Sequence, residues 1–233
     1  MAKKDSATRK AGASAPVPKK SVLVVDDHPM VLEGLRAIIN REPDLRVCCE
    51  ADGARKALAL IEKNTPDLVL VDIVLPERNG LELIKDLKAL RPTLPILAIS
   101  IHDDLLYAER SLRAGARGYI SKHQPPEELL KAIRQVLAGQ IYTSRGFSQT
   151  LLQRMSGKAA PVRSPMEILT DREFEIFQLF GEGKSGKEIA RQLRLSDKTV
   201  AVHGANIRHK LKVRSTAQLI RLAVQAENLT PPD

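Results

Sequence analysis

Polar and charged side chains follow four short apolar runs of this sequence, each at the point where the run ends. Asp26 and Asp27 follow the first run, and Asp72 follows the third. Ser100 follows the fourth run, and Lys122 comes just past the fifth. Clustered carboxylates repel one another unless a cation lies between them, and a hard divalent ion such as Mg²⁺ prefers oxygen ligands. The set therefore predicts a magnesium site, provided that the fold brings the run ends together.

A carboxylate in such a set can also attack phosphorus and form an aspartyl phosphate. Phosphoryl transfer depends mainly on positioning and on neutralising the charge of the phosphoryl oxygens. Mg²⁺ and the Lys122 ammonium could both stabilise those oxygens, and the Ser100 hydroxyl could donate a hydrogen bond to one. Each residue alone has an ordinary explanation, as a helix cap, a turn residue or a solvated lysine. Their joint occurrence at four run ends indicates a site for phosphoryl transfer.

The apolar runs have the length and composition of buried parallel strands. They are Val22–Val25, Val47–Cys49, Leu68–Val71, Ile96–Ile99 and Tyr119–Ile120. Amphipathic helical patterns lie between them, as in residues 31–39. Five strand–helix units with right-handed crossovers predict an α/β doubly wound sheet of the flavodoxin-like order 2-1-3-4-5. Strands 1, 3, 4 and 5 are neighbours in that order, so the polar run ends should meet at one edge.

Several motifs of this region resemble response-regulator receiver domains. The matching segments are VLVVDDHP at Val22–Pro29, DLVLVDIVLPERNGLEL at Asp67–Leu83, LAIS at Leu97–Ser100 and GARGYISK at Gly115–Lys122. The resemblance implies that Asp72 accepts a phosphoryl group from a sensor histidine kinase. It also implies a Mg²⁺ site with these ligands: Asp26, Asp27, Asp72 and the backbone carbonyl of Val74. Ser100 and Lys122 would contact the phosphate, and Tyr119 matches the aromatic switch position.

Four helical segments follow Pro165, where the strand patterns end. They lie near residues 171–181, 186–193, 197–211 and 216–226. Their starts carry capping-box pairs or a single cap: Thr170 with Glu173, Ser185 with Glu188, Ser215 with Gln218, and Ser196 alone. A short turn at Arg194–Ser196 joins the second and third segments, which predicts a helix-turn-helix whose second helix enters the major groove. The pattern alone leaves a small helical dimerisation bundle open as the alternative.

This region resembles LuxR-type helix-turn-helix domains over roughly residues 167–226. The matching motifs include LTDRE at Leu169–Glu173, KEIA at Lys187–Ala190 and LSDKTV at Leu195–Val200. A receiver joined to such a domain defines the NarL/FixJ type of response regulator. This type implies a transcription regulator, not an enzyme, that binds double-stranded DNA as a homodimer when phosphorylated. The predicted DNA-contacting residues are Lys198, Thr199, Ala201, Val202, Ala205, Arg208, His209 and Lys212. Family analogy also places a dimer surface around Ala217–Ala223.

The predicted recognition helix departs from this family at three small residues. Many members carry Lys where this chain has Ala201, and a polar or basic residue near Ala205. Gly204 lies inside the helix, at a cost of about 0.5–1 kcal/mol relative to Ala. Small side chains allow a close approach to the groove, but they cannot make the charged phosphate contacts that dominate affinity. We therefore predict DNA binding of modest affinity that depends strongly on dimerisation.

The formal net charge of +9 is distributed unevenly along the 233 residues. Residues 21–142 carry 16 basic and 18 acidic side chains, whereas residues 143–233 carry 15 basic and nine acidic ones. We expect five segments: a disordered basic tail over 1–20, the receiver over 21–142, a linker over 143–165, the DNA-binding domain over 166–228 and a short tail over 229–233. Only the basic C-terminal domain is expected to meet nucleic acid.

The composition argues against membrane and secreted classes. No apolar run approaches the roughly 20 residues that a membrane-spanning helix needs, and no signal-peptide core follows the basic N-terminus. We therefore expect a cytoplasmic protein. Cys48 and Cys49, the two cysteines of the chain, are adjacent, which suits neither a disulfide framework nor a zinc site. They are predicted to fill buried or half-buried apolar positions.

Two other functions fit parts of the sequence. The first is an enzyme of the aspartyl-phosphate type, such as a phosphatase, on the same doubly wound fold. Such an enzyme would want a second acid two residues after its nucleophile, where this chain has Val74. The second is a receiver whose helical domain binds only protein. A DNA-binding assay with and without acetyl phosphate would separate this last function from transcription control.

Overall fold

The structure, a computed structural model, describes residues 18–76, 78–101, 105–143 and 168–227. Most of the predicted N-terminal tail, the predicted linker beyond residue 143 and the predicted C-terminal tail lie outside these ranges. No helix in the described ranges is long and apolar enough to cross a membrane.

Five parallel strands form one sheet in the order β2-β1-β3-β4-β5, which confirms the predicted order. The strands are β1 Lys20–Val25, β2 Leu45–Ala51, β3 Leu68–Asp72, β4 Ile96–Ser100 and β5 Gly118–Ser121. Every residue of β3, β4 and β5 is buried, as continuous aliphatic strands of a covered parallel sheet should be. Strand β2 lies at one edge of the sheet and is only half-buried.

Five helices cover both faces of this sheet and confirm the doubly wound prediction. They are α1 Pro29–Asn40, α2 Ala54–Lys63, α3 Gly80–Leu90, α4 Leu105–Ala114 and α5 Pro126–Leu137. Val22 and Val24 share a core cluster with residues of α1 and α5. Val69 and Val71 share a second cluster with residues of α2, α3 and α4. The alternation of side chains along each strand therefore sends neighbouring residues to opposite helical layers.

Four further helices form the C-terminal domain at the predicted positions. They are α6 Asp171–Gly181, α7 Gly186–Gln192, α8 Asp197–Leu211 and α9 Thr216–Glu227. Their core includes Phe177 of α6, Ile189 of α7 and Ile207 of α8, which are almost completely buried. Arg194, in the turn between α7 and α8, adopts a left-handed backbone conformation with φ of 50°. The turn is thus tight enough to hold the two helices of the predicted helix-turn-helix together.

The starts of these helices carry most of the predicted caps. Reciprocal capping boxes are present at α6 and α7, and the Ser196 side chain accepts from Thr199 at α8. The capping box predicted for α9 requires two hydrogen bonds, of which one is as predicted and the other is wrong. Ser215 Oγ accepts from the Gln218 amide at 3.2 Å, but Gln218 Oε1 accepts from the amide of Arg214 at 2.8 Å. The Gln218 side chain thus satisfies the amide that precedes the cap rather than the cap's own amide.

Candidate functional site

The polar strand ends meet at one edge of the sheet, as the predicted strand order requires. Lys122, just past β5, places its Nζ 2.6 Å from Asp26 Oδ2 and 2.7 Å from Asp72 Oδ2. The side chains of Asp26 and Asp72 are 0% and 2% exposed, and that of Lys122 is 12% exposed. One ammonium therefore bridges two buried carboxylates that belong to different strands.

Local backbone packing holds Asp72 at this edge. The Val74 amide donates to Asp72 Oδ1 at 3.2 Å, and the Gly80 amide, at the start of α3, donates to the Ile73 carbonyl at 2.8 Å. A Cβ atom at position 80 would lie 2.1 Å from the Asp72 carbonyl oxygen. Only glycine allows helix α3 to begin this close to the end of β3.

Burial and charge set the protonation of Asp72 and Lys122. Burial raises the pKa of Asp72 to about 7, and the Asp26 carboxylate adds to this effect, while the Lys122 ammonium opposes it. Burial disfavours the Lys122 ammonium, but the Asp72 and Asp26 carboxylates outweigh it and raise the pKa of Lys122. The site thus holds a permanent cation beside a carboxyl group that ionises near neutral pH.

The donor atoms around this bridge fit a hard divalent cation. Asp26, Asp27, His28 and Asp72 each offer one atom, and these atoms lie within 4.8 Å of one another. Asp27 Oδ1 is buried without a hydrogen-bond partner in the described part of the chain; His28 Nδ1 lies 3.0 Å away, but not in hydrogen-bonding geometry. A buried oxygen without a donor is unusual in proteins, and carboxylate oxygens are the ligands that Mg²⁺ prefers.

His28 is the member of this cluster that the sequence analysis missed. Its backbone amide donates to Asp26 Oδ1 at 2.9 Å, and its side chain is 64% exposed. Its place directly after two predicted ligands was the available signal. The ring therefore borders the cluster from the solvent side.

Three other predicted site residues lie near the same strand ends. Ser100 is fully buried as the last residue of β4, and its carbonyl accepts from the Lys122 amide at 2.6 Å. Tyr119 is buried in β5 and belongs to the core cluster on the α2–α4 face. Val74 is half-buried beside Asp72. The metal-ligand role of the Val74 carbonyl and the switch role of Tyr119 stay predictions.

Comparison with known protein families identifies the kind of protein to which this site belongs. Residues 22–134 match the response regulator receiver domain, and residues 167–223 match the luxR family of bacterial regulatory proteins. The chain belongs to the response-regulator family. As a receiver joined to a LuxR-type domain, this response regulator is a phosphorylation-dependent, DNA-binding transcription regulator rather than a classical enzyme.

The sequences of known relatives align with most of this response regulator. It is 32% identical to the transcriptional regulatory protein DegU of Brevibacillus brevis over 216 residues, which cover 87% of this chain and 92% of DegU. It is 34% identical to the nitrate/nitrite response regulator protein NarL of Escherichia coli over 200 residues, covering 85% and 92% of the two chains. A structure of RcsB from Salmonella enterica serovar Typhimurium, bound to promoter P1flhDC with the phosphomimetic BeF3-, superposes with a TM-score of 0.60 at 25% identity, covering 89% and 100%.

Helix α8 presents most of the predicted DNA-contacting side chains to solvent. Six of them are exposed: Lys198, Ala201, Val202, Ala205, His209 and Lys212. Thr199 and Arg208 are half-buried, since Thr199 Oγ1 lies 2.7 Å from Ser196 Oγ and the Arg208 guanidinium donates to Thr216 Oγ1 at 3.3 Å. The exposed residues share one side of the helix, and their contacts to DNA stay predictions.

Gly204 does not belong to that exposed side. It is buried, and a Cβ atom there would lie 3.8 Å from the Phe180 ring of α6 and 3.6 Å from the Arg208 guanidinium. The expectation that Gly204 brings the helix close to the groove is therefore wrong, because its open side faces the core of the domain. The small residues that remain available to a groove are Ala201 and Ala205.

Helix α9, the predicted dimer element, has two different faces. Leu219 and Ala223 are buried, and the Ala223 Cβ lies 3.2 Å from the point where a Cβ of Gly181 would stand. Ala217, Arg221 and Val224 are exposed. Only the exposed face is free for a second copy, so the predicted surface of 217–223 is narrower than the sequence analysis assumed.

Helix α6 packs directly against the receiver, which the sequence analysis did not predict. The Arg110 guanidinium of α4 lies 4.4 Å from the centre of the Phe174 ring and 2.8 Å from Asp171 Oδ1. The Tyr107 ring meets the Phe174 ring edge-on at 5.0 Å. Lys85 of α3 adds a second ion pair to Asp171 at 2.6 Å. Each of these side chains looks like an ordinary helix residue until the two domains are brought together.

A buried polar bond joins this contact to the loop that follows Asp72. Asn79, which caps helix α3 and is fully buried, donates to Glu175 Oε2 at 2.9 Å. Glu175 is almost completely buried and pairs with Arg172 at 2.7 Å. Burial raises the pKa of Glu175, while Arg172 and Asn79 act in the opposite direction. The polar residues of α6 among its apolar neighbours Phe174 and Ile176 were the available signal.

Proposed function

We propose that Asp72 is the phosphoryl acceptor of this response regulator and that a sensor histidine kinase is the donor. An Asp72 oxygen attacks phosphorus, a P–O bond forms, and the P–N bond to the donor histidine breaks. The observation that carries the proposal is the Lys122 ammonium, which lies 2.7 Å from Asp72 and beside Asp26. A cation so close to the acceptor would neutralise charge that develops on the phosphoryl oxygens.

Asp26, Asp27 and Asp72 would hold Mg²⁺, with the Val74 carbonyl as a further ligand. The bound ion would neutralise charge on the phosphoryl group. Asp27 Oδ1, buried and without a hydrogen-bond partner among the described residues, supports this assignment. Lys122 would then turn from the carboxylates to the phosphoryl oxygens, Ser100 would donate to one of them, and Tyr119 would follow the movement of Ser100.

Acetyl phosphate labelling tests the acceptor. With Mg²⁺ present, the wild-type chain should form one acid-stable, hydroxylamine-sensitive acyl phosphate. Asp72→Asn should abolish it, because an amide cannot form that bond. Asp52→Asn is the matched control, since Asp52 is an exposed carboxylate at the end of β2. Undiminished labelling of Asp72→Asn would exclude Asp72 as the acceptor.

We also propose that the α6 contact restrains the DNA-binding domain when the receiver is unphosphorylated. The contact uses α6, while Ala201, Val202 and Ala205 of α8 remain exposed. Docking would therefore restrain the position and dimerisation of the domain rather than cover its recognition helix. The bond from Asn79 to Glu175 gives the Asp72 loop a direct contact with α6.

The proposed output is cytoplasmic control of transcription by a phosphorylated homodimer on DNA. The predicted contacts are Lys198, Thr199, Ala201, Val202, Ala205, Arg208, His209 and Lys212. Gel-shift assays on genomic fragments, with and without acetyl phosphate, test this proposal. Phosphorylation should tighten binding, and the affinity should depend on dimer concentration. A tight monomeric complex at physiological salt, or no DNA binding in either state, would contradict it.

A further inference from the structure

The adjacent cysteines lie at an irregularity of the edge strand β2. Val22 of β1 pairs with Val47, whereas Leu23 pairs with Cys49, so Cys48 has no partner in the ladder. An extra residue of this kind is a β-bulge. Consecutive side chains of a regular strand point to opposite faces of the sheet. A bulge interrupts that alternation and can bring two consecutive side chains to one side.

Packing agrees with this account of the bulge. Cys48 and Cys49 both pack against the core cluster on the α2–α4 face, whereas Val47 packs against the opposite cluster. Their Sγ atoms lie 3.0 Å apart, and both residues are half-buried free thiols. The predicted role as half-buried apolar residues is thus confirmed, but the two sulphurs also form a pair.

The geometry points to a vicinal dithiol site: we propose that Cys48 and Cys49 together chelate a soft, thiophilic centre of the trivalent arsenic class. Sulphur ligands favour soft ions and elements. With a dihydroxyarsine, two As–S bonds form, two As–O bonds break, and the two thiol protons leave with the hydroxyl groups as two water molecules. No electrons are transferred, so no oxidant is needed.

The surroundings of the pair favour a chelating ligand over a reagent for single thiols. Burial, together with the neighbouring Cys48 thiol, raises the pKa of Cys49 to about 12. A thiol held protonated is a poor nucleophile towards single-site reagents. A ligand held by both sulphurs is kept by a high effective concentration, because the second bond forms within one complex.

Intact-mass spectrometry of the full-length, reduced chain with dihydroxyphenylarsine tests the site. Because the chain has only two cysteines, any thiol adduct involves this pair. The wild type should retain one arsenical through a challenge with excess monothiol and release it to a dithiol. Cys48→Ala and Cys49→Ala should each lose it faster by about 100-fold, because only one As–S bond remains. Acetyl phosphate labelling of each variant reports whether its receiver is still folded.

Three results would overturn the proposal. Equal retention by the wild type and both single variants would show that the sulphurs bind separately. Failure of the folded wild type to take up the arsenical would show that the pair is not accessible as a chelate. Uptake only in concentrated urea would assign the adduct to the unfolded chain.

Discussion

The acidic site of the receiver joins residues up to 96 positions apart in sequence, whereas the predicted recognition surface lies within the 15 residues of α8 and Lys212, which directly follows them. At the first site, buried neighbours set the positions of the side chains and the protonation of Asp72 and Lys122. On the second surface, exposed side chains share one face of a helix and depend little on one another. A substitution in the receiver site should therefore alter several properties together, while one on α8 should act locally.

Apart from loss of the acceptor itself, removal of the bridging ammonium should give the largest effect in the receiver. Lys122→Ala should lower the rate of Mg²⁺-dependent labelling by acetyl phosphate by about 100-fold, which is the order of the loss when one group that stabilises transition-state charge is removed. The measurement is the initial rate of acyl-phosphate formation. Lys131→Ala is the control, because Lys131 is an exposed α5 lysine that pairs with Glu128 of its own helix. Equal rates for both variants would mean that Lys122 behaves as a surface residue.

The apparent affinity for Mg²⁺ should depend on the protonation of Asp72. The ordinary pKa of Asp72 is 3.8, and in the folded chain it is about 7. Mg²⁺ needs the carboxylate, so its apparent affinity should fall by about tenfold for each pH unit below 7 and level off above it. Titration calorimetry between pH 5 and about 8.5 measures this slope. An affinity that is flat over this range would mean that Asp72 ionises independently of its neighbours.

The same pKa shift fixes the sign of a stability effect. Because the folded pKa is raised, protonated Asp72 stabilises the metal-free fold. This contribution is complete below pH 3.8 and is lost as the pH rises through about 7. Urea unfolding of the wild type and Asp72→Asn in the absence of Mg²⁺ should diverge over that window, with the wild type losing stability relative to the variant.

Disruption of the α6 contact should weaken the attachment of the DNA-binding domain to the receiver. Arg110→Ala removes an ion pair to Asp171 and the contact with the Phe174 ring. A buried charged hydrogen bond contributes about 1.5–3 kcal/mol. The DNA affinity of the unphosphorylated chain should therefore rise by about tenfold, which corresponds to roughly 1.4 kcal/mol. Gel shifts without acetyl phosphate measure this rise.

Arg113→Ala is the matched control for this change. Arg113 lies three residues further along α4, is 65% exposed, and forms an ion pair with Glu109 of its own helix. It should leave DNA affinity unchanged. If Arg110→Ala also leaves it unchanged, the docked contact does not restrain the DNA-binding domain.

The smallest expected effect concerns the buried side of the recognition helix. Gly204→Ala should raise the free energy of unfolding by about 0.5–1 kcal/mol, because the added methyl group meets only ordinary contacts with Phe180 and Arg208. DNA affinity should not change, since this position faces the core. Gly34→Ala, in an open position of α1, is the helix-glycine control in the receiver. Weaker DNA binding by Gly204→Ala would mean that this side of α8 meets the groove.

The fold and most of the acidic site follow from the residue pattern alone. Short aliphatic runs alternating with amphipathic helices specify a parallel sheet, and strand ends of neighbouring strands must meet at one edge. Asp26, Asp72 and Lys122 could therefore be brought together without coordinates. The exposed face of α8 followed from helical periodicity, and the caps of α6, α7 and α8 followed from local side-chain spacing.

Features that depend on contacts between distant surfaces could not be predicted in this way, because they arise from how the folded elements pack. Arg110 and Asn79 dock on α6; the polar residues of α6 suggest a contact, but no local pattern identifies these two side chains as its partners. The orientation of Gly204 depends on which face of α8 packs against Phe180. The pairing of Cys48 with Cys49 arose from one unpaired residue in a ladder, and register between strands is fixed by packing rather than by the strand's own residues.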